Sequence, residues 1–183
     1  NCQLQIAASC CIGAVTDGCG SHFLCCRSVH RVLRFFKDSF KMDLGIWHRK
    51  SKRHGVRFYN DSKGTNPDAA IKGICAMNRP TFLIGGGYDK ESTYDEWIES
   101  FGGKVKKLVL IGQTREKIAA CAREHGFMDS VLCDSLEEAI DVCYENAVEG
   151  DAVLLSPACA SWGMFKNYEE RGRIFKEYVR ALS

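Results

Sequence analysis

Tyr59-Asn60-Asp61-Ser62-Lys63-Gly64-Thr65-Asn66 is the stretch on which the reading of this chain turns. A β-branched and aromatic run, Val56 to Tyr59, precedes it, and a helix signal, Pro67-Asp68-Ala69-Ala70-Ile71, follows it. An acid, a lysine, two hydroxyls and two amides are thus packed into one link between a strand and a helix. A link that only turns needs one Gly or Asn. In α/β folds this is where ligand groups sit, at the carboxyl end of a strand and beside the free N–H groups of the next helix.

Downstream the same alternation continues. Thr81-Phe82-Leu83-Ile84 is an apolar strand running into Gly85-Gly86-Gly87, and Val105 to Ile111 is another, closed by Gly112. Val131-Leu132-Cys133 and Asp151 to Leu155 complete a set of five. Helices are expected between them. Pro67 stands at a first helical position, with Ala70, Ile71, Ile74 and Met77 at helical spacing. Tyr94, Trp97, Ile98 and Phe101 mark a second helix. Thr114 is placed to cap a third, which ends at Gly126, and Ser135 with Glu138 forms a capping box for a fourth reaching about Ala147. The last helix spans about Tyr168 to Leu182. Strands alternating with such helices predict an α/β fold with a doubly wound, mostly parallel, Rossmann-like sheet and right-handed crossovers. Three polar loops, 60–66, 85–90 and 156–162, then line one sheet edge.

Residues 1–54 follow no such pattern and are expected to form an irregular, Cys-rich, basic segment ahead of a domain over 55–183. Six of the 11 Cys fall in the first 26 residues. Residues 1–55 carry 9 Lys+Arg against 3 Asp and no Glu, a balance of +6, and the remainder carries 16 against 20, a balance of −4. Only Val29 to Phe40 has an amphipathic helical pattern. The longest apolar run, Ile6 to Val15, is too short to span a bilayer, and no basic segment precedes it as a secretory leader would require. A cytoplasmic protein is expected, and, because Asn1 stands where Met would, a fragment or processed product. The tail His48-Arg49-Lys50-Ser51-Lys52-Arg53-His54 lacks the aromatic interleaving of a nucleic-acid surface. Adjacent Cys pairs at 10–11 and 25–26 do not have the spacing of a zinc knuckle.

Each loop has two readings. In 60–66, Lys63 and Thr65 suit a carboxylate or phosphate, with Asp61 beside them, or else the segment is a solvated turn that Asp61 caps. In Gly85-Gly86-Gly87-Tyr88-Asp89-Lys90 the glycines let backbone approach a ligand and Lys90 supplies charge, or else this is a tight surface turn. It lacks the GK[ST] ending of a Walker A loop. In Ser156-Pro157-Ala158-Cys159-Ala160-Ser161-Trp162, Ser161 offers a hydroxyl and nearby N–H groups to a carboxylate, while Cys159 and Trp162 read as packing residues.

Taken together, these loops resemble those of the Mur ligases. Phe58 to Pro67 is similar to that family's N-D-S-K-[AG]-T-N motif. Leu155 to Ser161, with Phe165-Lys166-Asn167-Tyr168-Glu169-Glu170-Arg171-Gly172, is similar to its L-S-P-A-C-A-S…F-x-x-[FY]-x-x-R-G signature, and Gly85 to Lys90 to its middle Gly-rich loop. The resemblance covers about residues 55–183 and implies the C-terminal domain of a three-domain enzyme, inactive on its own. It further implies an ATP-dependent, amide-forming ligase of peptidoglycan synthesis that joins D-glutamate to UDP-N-acetylmuramoyl-L-alanine through an acyl phosphate, with ATP and Mg2+ held mainly by a central ATPase domain. Lys63, Thr65, Lys90, Ser161, Trp162 and Tyr168 are then expected at substrate, and Asp61 and Arg49 at the nucleotide. His48-Arg49 is similar to a family pair, though a few residues nearer the N-D-S-K strand. The missing Glu, clustered Cys and lost register lead to the further expectation that residues 1 to about 50 are a frameshifted or corrupted linker. A reading from another class is a stand-alone binding module for an anionic amino acid or nucleotide.

Overall fold

The computed structural model describes residues 55–182 and the backbone of Trp47–His48, all within one compact unit, Gly45–Ser183. The amphipathic pattern of 29–40, the Cys cluster and Arg49 lie outside the described residues.

In chain order the elements are β1 (Trp47–His48), β2 (Arg57–Asn60), α1 (Pro67–Cys75), β3 (Thr81–Gly86), α2 (Asp95–Glu99), β4 (Val105–Ile111), α3 (Arg115–Glu124), β5 (Ser130–Leu132), α4 (Leu136–Asn146), β6 (Ala152–Leu155) and α5 (Tyr168–Ala181). The sheet order is β1-β2-β6-β3-β4-β5. β2, β6, β3, β4 and β5 pair in parallel, while β1 adds an antiparallel edge with Trp47 opposite Phe58. The expected α/β fold with a mostly parallel sheet is what forms.

Strand periodicity divides the core in two. Leu83, Leu108, Leu110 and Leu154 face one layer, where they meet Ala70 and Ile74 of α1, Trp97 of α2 and Ile118 and Ala122 of α3. The intervening residues Phe82, Ile84, Val109, Ile111, Val153 and Leu155 face the other, against Ile140 and Cys143 of α4 and Phe175 and Val179 of α5. Alternate side chains of one strand point to opposite faces, so a sheet covered on both sides needs unbroken apolar strands. Those four-residue and longer runs are the signal by which the sequence announced the sheet.

Local signals decide the helix starts. Asn66 caps α1, its Oδ1 accepting from the Ala69 N–H at 2.9 Å, with Pro67 in the first turn. Asp61, the cap in the solvated-turn reading, does not cap this helix. Ser135 Oγ accepts from Glu138 N at 3.0 Å, and Glu138 reaches back to Asp134 N at 2.7 Å, one residue beyond the usual box. Thr114 occupies the cap position of α3 but makes no side-chain cap bond. Its hydroxyl is engaged at the sheet edge instead.

Candidate functional site

The sheet order places β6 between β2 and β3, and Asn60, Leu155 and Ile84 stand in register across the three strands. The loops that follow these strands therefore leave the carboxyl edge side by side. Each is tied to the middle one.

In the first loop, Gly64 N donates to Asp61 O at 2.9 Å and Thr65 N to Lys63 O at 2.8 Å, folding the backbone back on itself. Lys63 is exposed and Thr65 half-buried. Ser156 Oγ, at the head of the middle loop, donates to Asp61 Oδ2 at 2.8 Å. A Cβ on Gly73 of α1 would come within 2.9 Å of both that oxygen and Ser156 Oγ, so α1 packs directly over the pair. Burial lifts the Asp61 carboxyl to about 6, against the pull of the Ser156 hydrogen bond and the Arg171 charge. Because its folded pKa stands above the unfolded value of 3.8, Asp61 supports the fold fully at acid pH, and that support is lost as pH rises through about 6. Asp61→Asn is expected to remove this dependence. Between pH 5 and 7.5 the stability of the variant relative to the parent should rise by on the order of 1 kcal/mol in urea denaturation. A difference that does not change with pH would exclude the effect.

Arg171 joins the first and middle loops. Its side chain is fully buried. Nε donates to Ser62 Oγ at 2.9 Å and Nη2 to Ser62 O at 2.8 Å, while Nη1 and Nη2 both reach Cys159 O at 3.3 Å. Ser62 Oγ in turn donates to Tyr168 O at 2.8 Å, and Asn60 Nδ2 donates to Gly172 O at 2.9 Å, which fixes the start of α5 on the first loop. Burial lowers the guanidinium to about 10, with Cys159 and Asp61 opposing; at neutral pH it stays charged.

The Gly-rich loop is stitched to the middle loop by backbone. Gly86 N donates to Pro157 O at 2.8 Å and Tyr88 N to Ala160 O at 2.9 Å. Thr114 holds the other side: Gly87 N donates to Thr114 Oγ1 at 3.0 Å, and Thr114 N to Gly87 O at 3.1 Å. The three glycines are needed for close approach, but to the protein itself. A Cβ on Gly85 would meet the Trp97 ring at 2.7 Å, on Gly86 the Ile111 carbonyl at 2.2 Å, and on Gly87 the Ala160 carbonyl at 2.3 Å.

This stitching brings Lys90 to Trp162. The ammonium lies 5.1 Å from the Trp162 ring centre, and Tyr88 packs edge-on to the same ring at 5.6 Å. Trp162 is 56% exposed, so it does not fill the core as its apolar character led one to expect. Among the described residues no carboxylate pairs with Lys90. Ser161, next to Trp162, is buried, yet its hydroxyl has no hydrogen-bond partner among the described residues. A cation, a hydroxyl and an aromatic face with so few internal partners can receive a small anion. Cys159 behaves as a packed thiol: it lies between Tyr94 OH at 3.2 Å and Thr114 Oγ1 at 3.3 Å, and burial pushes its pKa up.

Lys90 and Trp162 thus meet beside the middle loop, with the buried Ser161 next to Trp162 in the chain. Asp61, Lys63, Thr65 and Tyr168 gather on the other side of that loop, through Ser62, Ser156 and Arg171. The expected pairing of Arg49 with the nucleotide falls outside the described residues. Sequence reasoning gave Arg171 no role, although one signal was present: an arginine four residues before Phe175 and eight before Val179, on the buried face of an amphipathic helix.

Residues 47–159 match the family model of the Mur ligase, glutamate ligase domain. The chain belongs to the Mur ligase family. This Mur ligase domain is 58% identical over 151 residues to a UDP-N-acetylmuramoylalanine–D-glutamate ligase of Lachnoclostridium phytofermentans, covering 81% of this chain and 33% of the relative. It is 62% identical over 130 residues to the protein of the same name from Lachnospira eligens, covering 71% and 29%. The chain spans about a third of the length of these relatives. An 81% share of this chain exceeds what residues 55–183 supply, so the first likeness extends upstream of residue 55. A solved domain from a Haemophilus ducreyi protein, described as a UDP-N-acetylmuramate:L-alanyl-gamma-D-glutamyl-medo-diaminopimelate ligase, shares the fold. Its TM-score is 0.50 at 14% identity, with 77% of this chain and all of that one covered.

Proposed function

We propose that this Mur ligase domain is the D-glutamate-receiving part of an ATP-dependent ligase that adds D-glutamate to UDP-N-acetylmuramoyl-L-alanine in peptidoglycan synthesis. The observation that carries the reading is the Lys90–Trp162–Ser161 group on adjoining loops at the sheet edge. A dicarboxylate needs two separated cationic or hydroxyl-bearing groups. Lys90 serves one carboxylate and Ser161 the other end, while Tyr168, held against Ser62 at the start of α5, closes the far side of the middle loop. Lys63 and Thr65 face the second substrate across the first loop, and Asp61 keeps one oxygen for a nucleotide hydroxyl. The names of the relatives, at 58% and 62% identity, support this choice of amino acid.

In the proposed reaction the alanine carboxylate is phosphorylated by ATP, the D-glutamate amine attacks the acyl phosphate, and phosphate leaves with ADP as the other product. The role of this domain is to hold and orient the amine donor, which lowers the entropic barrier to attack. ATP and Mg2+ belong to the remainder of such a ligase. Among the described residues the candidate metal-ligand group is Asp95 with Cys121 and His125, whose sulfur and imidazole donors do not suit Mg2+. No step through a metal is therefore assigned to these residues. Among the described residues no helix is long and apolar enough to cross a membrane. A cytoplasmic setting follows from the proposed substrates.

Nuclear magnetic resonance titration of the chain tests the reading. D-glutamate at millimolar concentration, equivalent to about 4 kcal/mol of binding, should shift the Ser161 amide and the Trp162 indole. Lys90→Ala should abolish these shifts. Equal shifts with L-glutamate or chloride, or none at these positions, would sink the assignment.

A further inference from the structure

A second group of side chains lies outside the three-loop edge. Asp95 opens α2, while Cys121 in α3 and His125 just after it are one helical turn apart. One donor atom from each lies within 4.8 Å of the others. Asp95 Oδ1 is 3.0 Å from His125 Nε2 and 3.8 Å from Cys121 Sγ.

We infer that Asp95, Cys121 and His125 form a surface site for a zinc-class divalent transition metal, clamping α2 to α3. Tetrahedral zinc bonded to oxygen and nitrogen at about 2.0–2.1 Å and to sulfur at about 2.3 Å requires oxygen–nitrogen and oxygen–sulfur edges of about 3.3 and 3.5 Å. The two observed separations lie within a few tenths of an ångström of these edges. The donor set, one thiolate, one imidazole and one carboxylate, selects zinc or cobalt over magnesium or calcium.

A further contact supports the geometry. The other ring nitrogen of His125, Nδ1, faces Glu99 Oε1 at 3.7 Å, and Glu99 lies one turn after Asp95 in α2. A metal-bound histidine commonly offers its second N–H to a carboxylate, which orients the ring and raises its basicity. Cys121 binds as thiolate, its proton passing to solvent, and water completes the coordination. The site does not depend on the proposed ligase reaction.

The test uses the full chain, metal-free and kept reduced, titrated with Co2+ and then with Zn2+ against a chromophoric chelator. Cys2 to Cys26 also carry thiols, so the readout is the difference between parent and variants rather than total uptake. Cys121→Ser and His125→Asn should each lose one bound equivalent and its thiolate-to-cobalt absorption. Asp95→Asn should weaken that equivalent, and Glu99→Gln should weaken it by about ten-fold. All four residues are partly exposed, so the variants are expected to fold. Stoichiometry and cobalt spectrum unchanged in both Cys121→Ser and His125→Asn would overturn the site.

Discussion

Arg171→Met is expected to destabilise the chain by about 3–5 kcal/mol, read as a lower urea midpoint at an unchanged slope. Methionine keeps most of the apolar stem and removes every donor. The Ser62 and Cys159 carbonyls, both in buried residues, then lose their guanidinium partner. Leaving a buried acceptor unsatisfied costs about 1–3 kcal/mol, and here two are affected along with the charge-assisted bond to Ser62 Oγ. Arg171→Lys should recover only part of the loss, because a point charge cannot span two loops as a planar fork does. The damage should also reach the edge itself: amide exchange in 61–66 and 156–162 should quicken together. A loss below about 1 kcal/mol, or protection unchanged in both loops, would show that Arg171 does not join them.

Gly87→Ala comes next in size, at about 2–4 kcal/mol. Gly87 has φ +151°, and an added Cβ would lie 2.3 Å from the Ala160 carbonyl oxygen. That oxygen accepts the Tyr88 N–H, so relieving the clash must pull the Gly-rich loop off the middle loop. Trp162 and Lys90 would part with it, and the indole fluorescence should change along with stability. Gly126→Ala is the internal control. Its φ is +79° but nothing lies within 4 Å of the added methyl, so only the backbone preference, about 1–2 kcal/mol, is lost. Equal costs at the two glycines would mean that the contact with Ala160 contributes nothing.

Both predictions concern residues whose roles the sequence left unread. Arg171 stands in the motif at the start of α5, yet its guanidinium holds Ser62, 109 positions away. Thr114 has the sequence signature of a helix cap, but its hydroxyl meets Gly87 and Cys159. The triple glycine reads as a ligand cradle, whereas each of its members is opposed by the protein's own atoms. In each case the competing partner arrives from a distant segment, and no local pattern records it.

Local physics was enough for much of the rest. Apolar runs bounded by glycine and cap residues located the five parallel strands and their helices, because backbone hydrogen bonding and side-chain periodicity act over a few residues. The polar loop at 60–66 was legible as more than a turn for the same reason, and its motif pointed to the family. Strand order is a different kind of fact. β6 is last in sequence yet lies between β2 and β3, and this alone sets the loops beginning at 61, 87 and 156 against one another. The contacts of Lys90 with Trp162, Asp61 with Ser156, and Arg171 with two loops all follow from that insertion. The sequence by itself determined which segments become strands, helices and polar loops. Only the tertiary structure decided which loops become neighbours, since that choice rests on burying both faces of the sheet at once.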